Sequence, residues 1–430
     1  MKRYGFSVTA VVLACGVVGT GDALASGFQV RENSPALQGT AFAGSASKAD
    51  DVSTIFNNPA GMTRLSGFQA GGGATLILPS GTFNGGATTA FRTPVAGSVD
   101  EDAGTPEPVP NLYALASVTD DLKLGLAVTS PFGLVTTYNS DWVGRYQAIK
   151  SALRTIDVNP NVAYRVNSYL SVAGGMSAQY AYTELGNAIN STTVARSAGL
   201  PLTLPDGNFT VKGNDWSWGY NFGVLLEPRP DTRIGATYRS RIRQNLTGDA
   251  SFTVPTVLSA LPVFRSGPAS AKLVLPDTAT LSITHDVTRD WTIMSDVSWT
   301  HWSVFKQLTV NNASGGAIYS QPENWRDTVF FALGTEYRPT DKWALRFGVA
   351  ADRTPVEDQF RTARLPDSNR YWISFGAGYS ILPGVTVDAA YTHIFGGTVS
   401  INETSPTADL LSGSYDNHVD IFGLSTQVKF

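Results

Sequence analysis

The sequence has almost no cysteine. Cys15 is the only one, and it falls within the first 25 residues. Those residues have a short basic start (Lys2, Arg3), an apolar run from Tyr4 to Val18, and small residues at Ala23 and Ala25. This pattern reads as a secretory signal peptide, residues 1–25, cleaved before Ser26. Val12-Leu13-Ala14-Cys15-Gly16 offers a rival lipoprotein signal, but Leu13 is bulky where a small residue is expected. The exported chain therefore holds no disulfide and must find its stability in a large core or a closed sheet.

Charge is also scarce, at 15% of residues. Removing Lys2, Arg3 and Asp22 from 31 basic and 35 acidic residues leaves 29 and 34, with no basic surplus to attract nucleic acid. No apolar run after residue 25 reaches about 18 residues, so no transmembrane helix is available. The four histidines (His285, His301, His393, His418) are scattered and indicate no metal site, and no nucleotide or cofactor motif is present.

Strict alternation is what the chain has in abundance. In Leu170–Thr183 one face reads Leu170, Val172, Gly174, Met176, Ala178, Tyr180, Tyr182, and the other Ser171, Ala173, Gly175, Ser177, Gln179, Ala181, Thr183. Residues 371–381 and 343–351 repeat the pattern, the latter with Arg346 facing inward. Period two with one wholly apolar face means a strand with one side in an apolar medium. The opposite faces carry mostly Gly, Ala, Ser and Thr, where a water-facing sheet would carry longer polar side chains.

Compact turn signals fall at 119–121, 166–168, 227–231, 288–290, 338–341 and 382–384. Longer connections rich in Gly, Ser, Pro and Asn fall at about 80–108, 133–153, 188–208, 250–275, 310–323, 354–369 and 400–416. Six tight turns alternating with seven long loops predict fourteen strands, each spanning with about 10 to 13 residues. The expected fold is all-β: a fourteen-stranded antiparallel transmembrane β-barrel over residues 67–430. Trp291, Trp343 and Tyr169 stand where an interfacial girdle would lie, and Phe430 ends the last strand as barrel-assembly machinery prefers.

Residues 26–66 break the alternation. They are rich in Gly, Ala, Ser and Asn and too few to fold alone. Lying inside the barrel would give them a packing partner; a periplasmic tail is the alternative.

The segments SGFQVRENSPALQGTAFAGSASKADDVSTIFNNPAGMTRLSG, PFGLVTTYNSDWVGRYQAIKSALRTIDVNPNVAYRV (131–166), LPDTATLSITHDVTRDWTIMSDVSWTHWSVF (275–305) and residues 324–380 resemble the FadL/TodX family of outer-membrane transporters of hydrophobic compounds. The resemblance implies a barrel plugged by an N-terminal hatch, here 26–66. It gives Asn58-Pro59-Ala60 a hinge or hatch-locking role, against the reading as a plain turn. It makes Phe28, third in the processed chain, a gate in the substrate site. It also implies lateral release at a kinked third strand, read here as Leu122–Gly133 ending in Ser130-Pro131-Phe132-Gly133, where Pro131 either kinks the strand or ends it. Trp142, Tyr146 and apolar residues of 188–204 are loop residues for external capture.

A fatty-acid carboxylate needs a cation in an apolar pocket. Gln179–Asn190 offers no Lys or Arg, and Arg346 is one inward alternative. Long-chain fatty acids and neutral hydrocarbons both remain open as cargo. The implied setting is the outer membrane of a Gram-negative bacterium, with membrane lipid, lipopolysaccharide and the assembly machinery as partners and a monomer as the working unit. A barrel lipase using His301 or His393 and a general porin are the competing classes.

Overall fold

The computed structural model describes residues 27–430; the leader and Ser26, and with them the cleavage site, lie outside the described residues. The alternating segments form β1 (Phe68–Thr88), β2 (Glu107–Ser117), β3 (Leu122–Thr129 and Gly133–Thr137), β4 (Lys150–Asn167), β5 (Leu170–Ile189), β6 (Gly207–Arg229) and β7 (Thr232–Arg239 and Ile242–Thr253). They continue as β8 (Gly267–Leu275 and Thr278–Asp286), β9 (Trp291–Thr300 and Gln307–Asn312), β10 (Ala317–Pro322 and Thr328–Thr340), β11 (Trp343–Asp352), β12 (Arg370–Leu382), β13 (Val385–Thr404) and β14 (Leu410–Lys429). Five of the fourteen strands are interrupted. All neighbours are antiparallel, and β1 pairs with both β2 and β14, from Gln69↔Lys429 to Thr88↔Leu410, which closes the barrel. Closure leaves the wall no free edge, as a sheet in lipid requires.

The strands run further than the predicted loops allowed. β1 extends to Thr88, β3 resumes to Thr137 and β14 already begins at Leu410, so ladders continue above the membrane into the long connections. Outward-facing Leu126, Val162, Met176, Phe222, Leu281, Phe331, Phe347 and Leu424 form an exposed apolar belt. Trp291, Trp343 and Tyr169 are exposed near the tight turns, as an aromatic girdle would be. The Phe430 amide donates to the Phe68 carbonyl at 2.9 Å, tying the chain end to β1.

Residues 27–66 contact strands on every side of the circle, which puts them in the lumen. Tyr113 of β2 donates to the Asn33 carbonyl at 2.7 Å, and the Gln38 amide group to the Ile421 carbonyl of β14 at 3.1 Å. Asp296 of β9 accepts from the Gly44 amide at 2.6 Å, and Thr63 shares a 2.7 Å hydroxyl contact with Ser171 of β5. The segment forms two short helices, α1 (Pro35–Gln38) and α2 (Thr54–Asn57), then a 3-10 turn, Pro59–Arg64. Ser34 caps α1 by accepting from the Leu37 amide. The contacts with Ser171, Thr284, Glu336 and Gln427 gather them toward the tight-turn end.

Small wall residues make this possible. A Cβ on Gly376 would lie 2.7 Å from the Gly39 Cα, and one on Gly235 would lie 1.8 Å from the Ala46 carbonyl oxygen. The Gly-rich inner faces of the strands are the bed of the segment.

Candidate ligand path through the barrel

The third strand breaks at Ser130–Phe132. Its pairing with β2 stops at Leu112↔Val128, and β4 shifts by one residue between Thr129↔Asp157 and Gly133↔Arg154. Pro131 has no N–H to offer a ladder. The Phe132 backbone bonds a side chain instead: its amide donates to Thr155 Oγ1 at 3.1 Å and its carbonyl accepts from the same hydroxyl at 2.6 Å. Phe132 is thereby turned into the lumen, where it is buried. Of the two readings of Pro131, the interrupted strand that resumes at Gly133 is the observed one.

The N-terminal segment pairs with this break. The Val30 amide donates to the Pro131 carbonyl at 2.9 Å, and the Gly133 amide to the Phe28 carbonyl at 3.0 Å. Just before it, Gly27 is gripped by a buried ion pair from the connection after β11. Its amide donates to Asp367 at 3.2 Å, and Arg370, itself 2.7 Å from Asp367, donates to its carbonyl at 3.2 Å. Gly27 has φ +60°, and a Cβ there would meet Trp325 at 2.6 Å, so only glycine fits.

Phe28 sits in an aromatic cage. Ring centroids lie 4.6 Å away in Trp302, 5.3 Å in Trp325, 5.8 Å in Phe305 and 6.3 Å in Phe132. All four residues stand in strand interruptions of β3, β9 and β10. Where a strand leaves its ladder, the pleat no longer fixes which face a side chain takes.

Two cavities meet at Phe28. One, of about 520 Å³, reaches from inward Trp372, Ile394 and Ile421 to Glu107, Arg154 and Ile156 on the wall beside the β2–β3 gap. The other, of about 100 Å³, is lined by Leu246, Leu273, Leu308 and Val310 together with three charged residues, Lys212, Glu323 and Arg364; Lys212 pairs with Glu184. Arg364 is buried and bonds only uncharged groups: Tyr319 Oη (3.0 Å), Ser151 Oγ (3.2 Å), Asn187 Oδ1 (2.9 Å) and the carbonyls of Lys150 and Gly186. Glu323 lies between the two parts of β10. Burial pushes its carboxyl up to about 8, although Trp325 Nε1 donates to it at 2.9 Å.

Arg364 escaped the sequence reading because it sits in a long connection, 354–369, that dips into the lumen. Arg346, the inward cation that alternation did find, is committed elsewhere: it bonds Glu336 at 2.7 Å and pairs with Asp388, in a network with Lys48.

Asn58 is fully buried. Its Nδ2 donates to the Ala46 carbonyl at 2.6 Å and the Val224 carbonyl of β6 at 3.0 Å, and its Oδ1 accepts from the Ala60 amide at 3.2 Å. Asn58 caps the 3-10 turn, with Pro59 first in it. The turn at Asn58-Pro59-Ala60 is thus tied to the barrel wall through Asn58.

The two capture residues are corrected. Trp142 is 0% exposed, stacked on Tyr138 at 4.0 Å with Nε1 donating to the Ala148 carbonyl; Tyr146 is 5% exposed and bonds Asp206. Both hold the outer loops together and offer no surface to an incoming molecule. Exposed apolar surface lies instead at Leu200 and Leu202, and at Val257, Leu261 and Val263.

Residues 16–430 match the family model described as "Outer membrane protein transport protein (OMPP1/FadL/TodX)". A putative outer membrane protein of Neisseria meningitidis serogroup B is 32% identical over 449 residues, covering 94% of this chain and 95% of that one. The long-chain fatty acid transport protein of Escherichia coli K12 is 29% identical over 425 residues, covering 93% and 94%. The crystal structure of a Pseudomonas aeruginosa FadL homologue superimposes with a TM-score of 0.87 at 27% identity, covering 94% and 100%. The P. putida toluene transporter TodX shares the fold, with a TM-score of 0.69 at 17% identity over 95% and 99% of the two chains. The chain thus belongs to the OMPP1/FadL/TodX family of outer membrane transport proteins, a Gram-negative outer-membrane β-barrel that carries hydrophobic molecules and is not an enzyme.

Proposed function

We propose that the protein takes up long-chain fatty acids passively, with residues 26–66 as the plug. The observation that carries this reading is Arg364: a buried guanidinium whose hydrogen bonds all go to uncharged groups, lining a mainly apolar pocket beside Phe28. A buried cation of this kind favours an anionic head, and the apolar walls favour its chain. Fatty-acid transport by the Escherichia coli relative points the same way. The route begins at exposed Leu200, Leu202 and Val263 on the loops and continues to the Arg364 pocket. Displacement of Phe28 then joins that pocket to the larger cavity, and the cargo leaves sideways through the β2–β3 gap at Ser130-Pro131-Phe132-Gly133. Asn58-Pro59-Ala60 locks the body of the plug while this happens.

The aromatic cage favours a second cargo, neutral aromatic or aliphatic hydrocarbons, which pack against rings without needing Arg364. The wall closes within one chain, which supports a monomer. Its exposed belt suits membrane lipid and lipopolysaccharide, and the terminal Phe430 suits the barrel-assembly machinery.

The test is gene deletion followed by uptake of a radiolabelled long-chain fatty acid, an aromatic hydrocarbon and a small sugar. Loss of fatty-acid uptake is the expected result. Loss of sugar uptake alone would overturn the reading.

A further inference from the structure

The segment that carries Phe28 also carries Arg31. The Arg31 guanidinium lies 4.1 Å over the Phe330 ring, and its Nε and Nη2 are buried without a hydrogen-bond partner. Unmet buried donors are rare and costly. The charges of Asp352, Glu32 and Asp296 act on the group, yet these two donors remain unbonded; Asp296 is engaged by Gly44, Ser45 and Ser282.

Arg31 lines the 520 Å³ cavity and a smaller one of about 80 Å³, whereas Arg364 lines the pocket across Phe28. Phe28, Leu134, Leu153 and Leu365 line both the 520 Å³ cavity and the Arg364 pocket. An apolar partition therefore separates two cations. A fatty acid that crosses it must take its carboxylate off Arg364, and an ionised carboxylate finds no compensation inside an apolar partition.

We propose that Arg31 is a second station for the carboxylate, receiving it in the large cavity once Phe28 has moved aside. The proposal rests on the fatty-acid reading above. The head group then passes from one guanidinium to the next on the way to the wall gap, and uncharged cargo needs neither. Phe28 and Arg31 share the short segment that pairs with Pro131 and Gly133, so the movement that opens the partition also moves Arg31.

The experiment uses full-length Arg31→Met, Arg31→Gln and Arg31→Lys variants in cells deleted for the gene. Initial uptake rates are measured for a radiolabelled C18 fatty acid and for its uncharged methyl ester. Equilibrium binding of the acid to purified protein is followed by quenching of Trp302 and Trp325 fluorescence, and gel mobility with and without heating confirms assembly. The Met and Gln variants should lower acid uptake about tenfold, the effect of losing one charge-assisted bond. Ester uptake and acid binding should stay within about twofold, and Arg31→Lys should recover most of the acid rate, because the second station acts after the binding step. Equal loss for acid and ester, or no loss in either variant, would overturn the proposal. A wild-type protein that takes up the ester but not the acid would instead overturn the fatty-acid reading itself.

Discussion

Phe28, Arg364 and Glu323 line one cavity and carry the proposed reading. Replacing Arg364 by Met should weaken fatty-acid binding by about 1.5–3 kcal/mol, roughly ten- to a hundredfold, since it removes a charged donor from a dry site. Titration with the methyl ester should show no such loss, and equal loss for both ligands would mean that Arg364 only supports the pocket. If this is the binding pocket, Glu323 should make binding depend on pH. Its carboxyl titrates at about 8, raised by burial, so it is neutral below that value and gains a negative charge above it. A carboxylate ligand is then repelled: affinity should hold below pH 8 and fall as pH rises through it, and Glu323→Gln should flatten the profile. The same proton stabilises the fold most at low pH, and that contribution fades between the ordinary glutamate range and about 8. Phe28→Ala empties the cage, and faster hydrogen exchange at the Val30 and Gly133 amides would report the freed segment.

Between the elements, residues 27–66 divide into a firmly held body and a more lightly held lead. The body is held by Asn58 on Val224, by Asp296 on Gly44, and by Lys48 on Glu336 at 2.7 Å with both side chains buried. The lead, residues 27–31, is held by the strand break, the cage and the Asp367–Arg370 grip on Gly27. Asn58→Ala removes its bonds to the carbonyls of Ala46 and Val224, at a cost of about 0.5–1.5 kcal/mol each. Liposomes carrying this variant should swell in a small sugar, whereas wild-type protein should not; no swelling would mean that this tie is redundant. Lys48→Met strands part of a buried carboxylate network and should lower the unfolding midpoint in urea more than any exposed lysine change.

At the scale of the whole molecule, the barrel is a closed wall with five interrupted strands, and residues 27–66 lie against its inner face. The strand number was legible because turns and loops alternate along the chain, and the apolar period of Leu170–Thr183 and 371–381 fixed which side meets lipid. The outer ends of β1, β3 and β14 were not legible, since a strand above the membrane loses its apolar face and reads as loop. Trp142 and Tyr146 misled for the same reason: in a loop nothing in the sequence tells a buried aromatic from an exposed one. The stretches of Gly, Ala, Ser and Thr on the inner faces had signalled only an absence of bulk. They are where Gly39, Ala46 and Asn58 come within contact of Gly376, Gly235 and Gly223.

The sequence by itself determined the barrel and its strand count, because each leaves a periodic or compositional mark along the chain. Only the tertiary structure decided that Arg364 and Arg31 stand on either side of Phe28, and that Arg346 is committed to an ion network. Arg364 meets Phe28, and Lys48 meets Glu336, across hundreds of positions, and Arg364 does so from a connection where no pleat dictates direction. Their geometry depends on what the closed wall brings together.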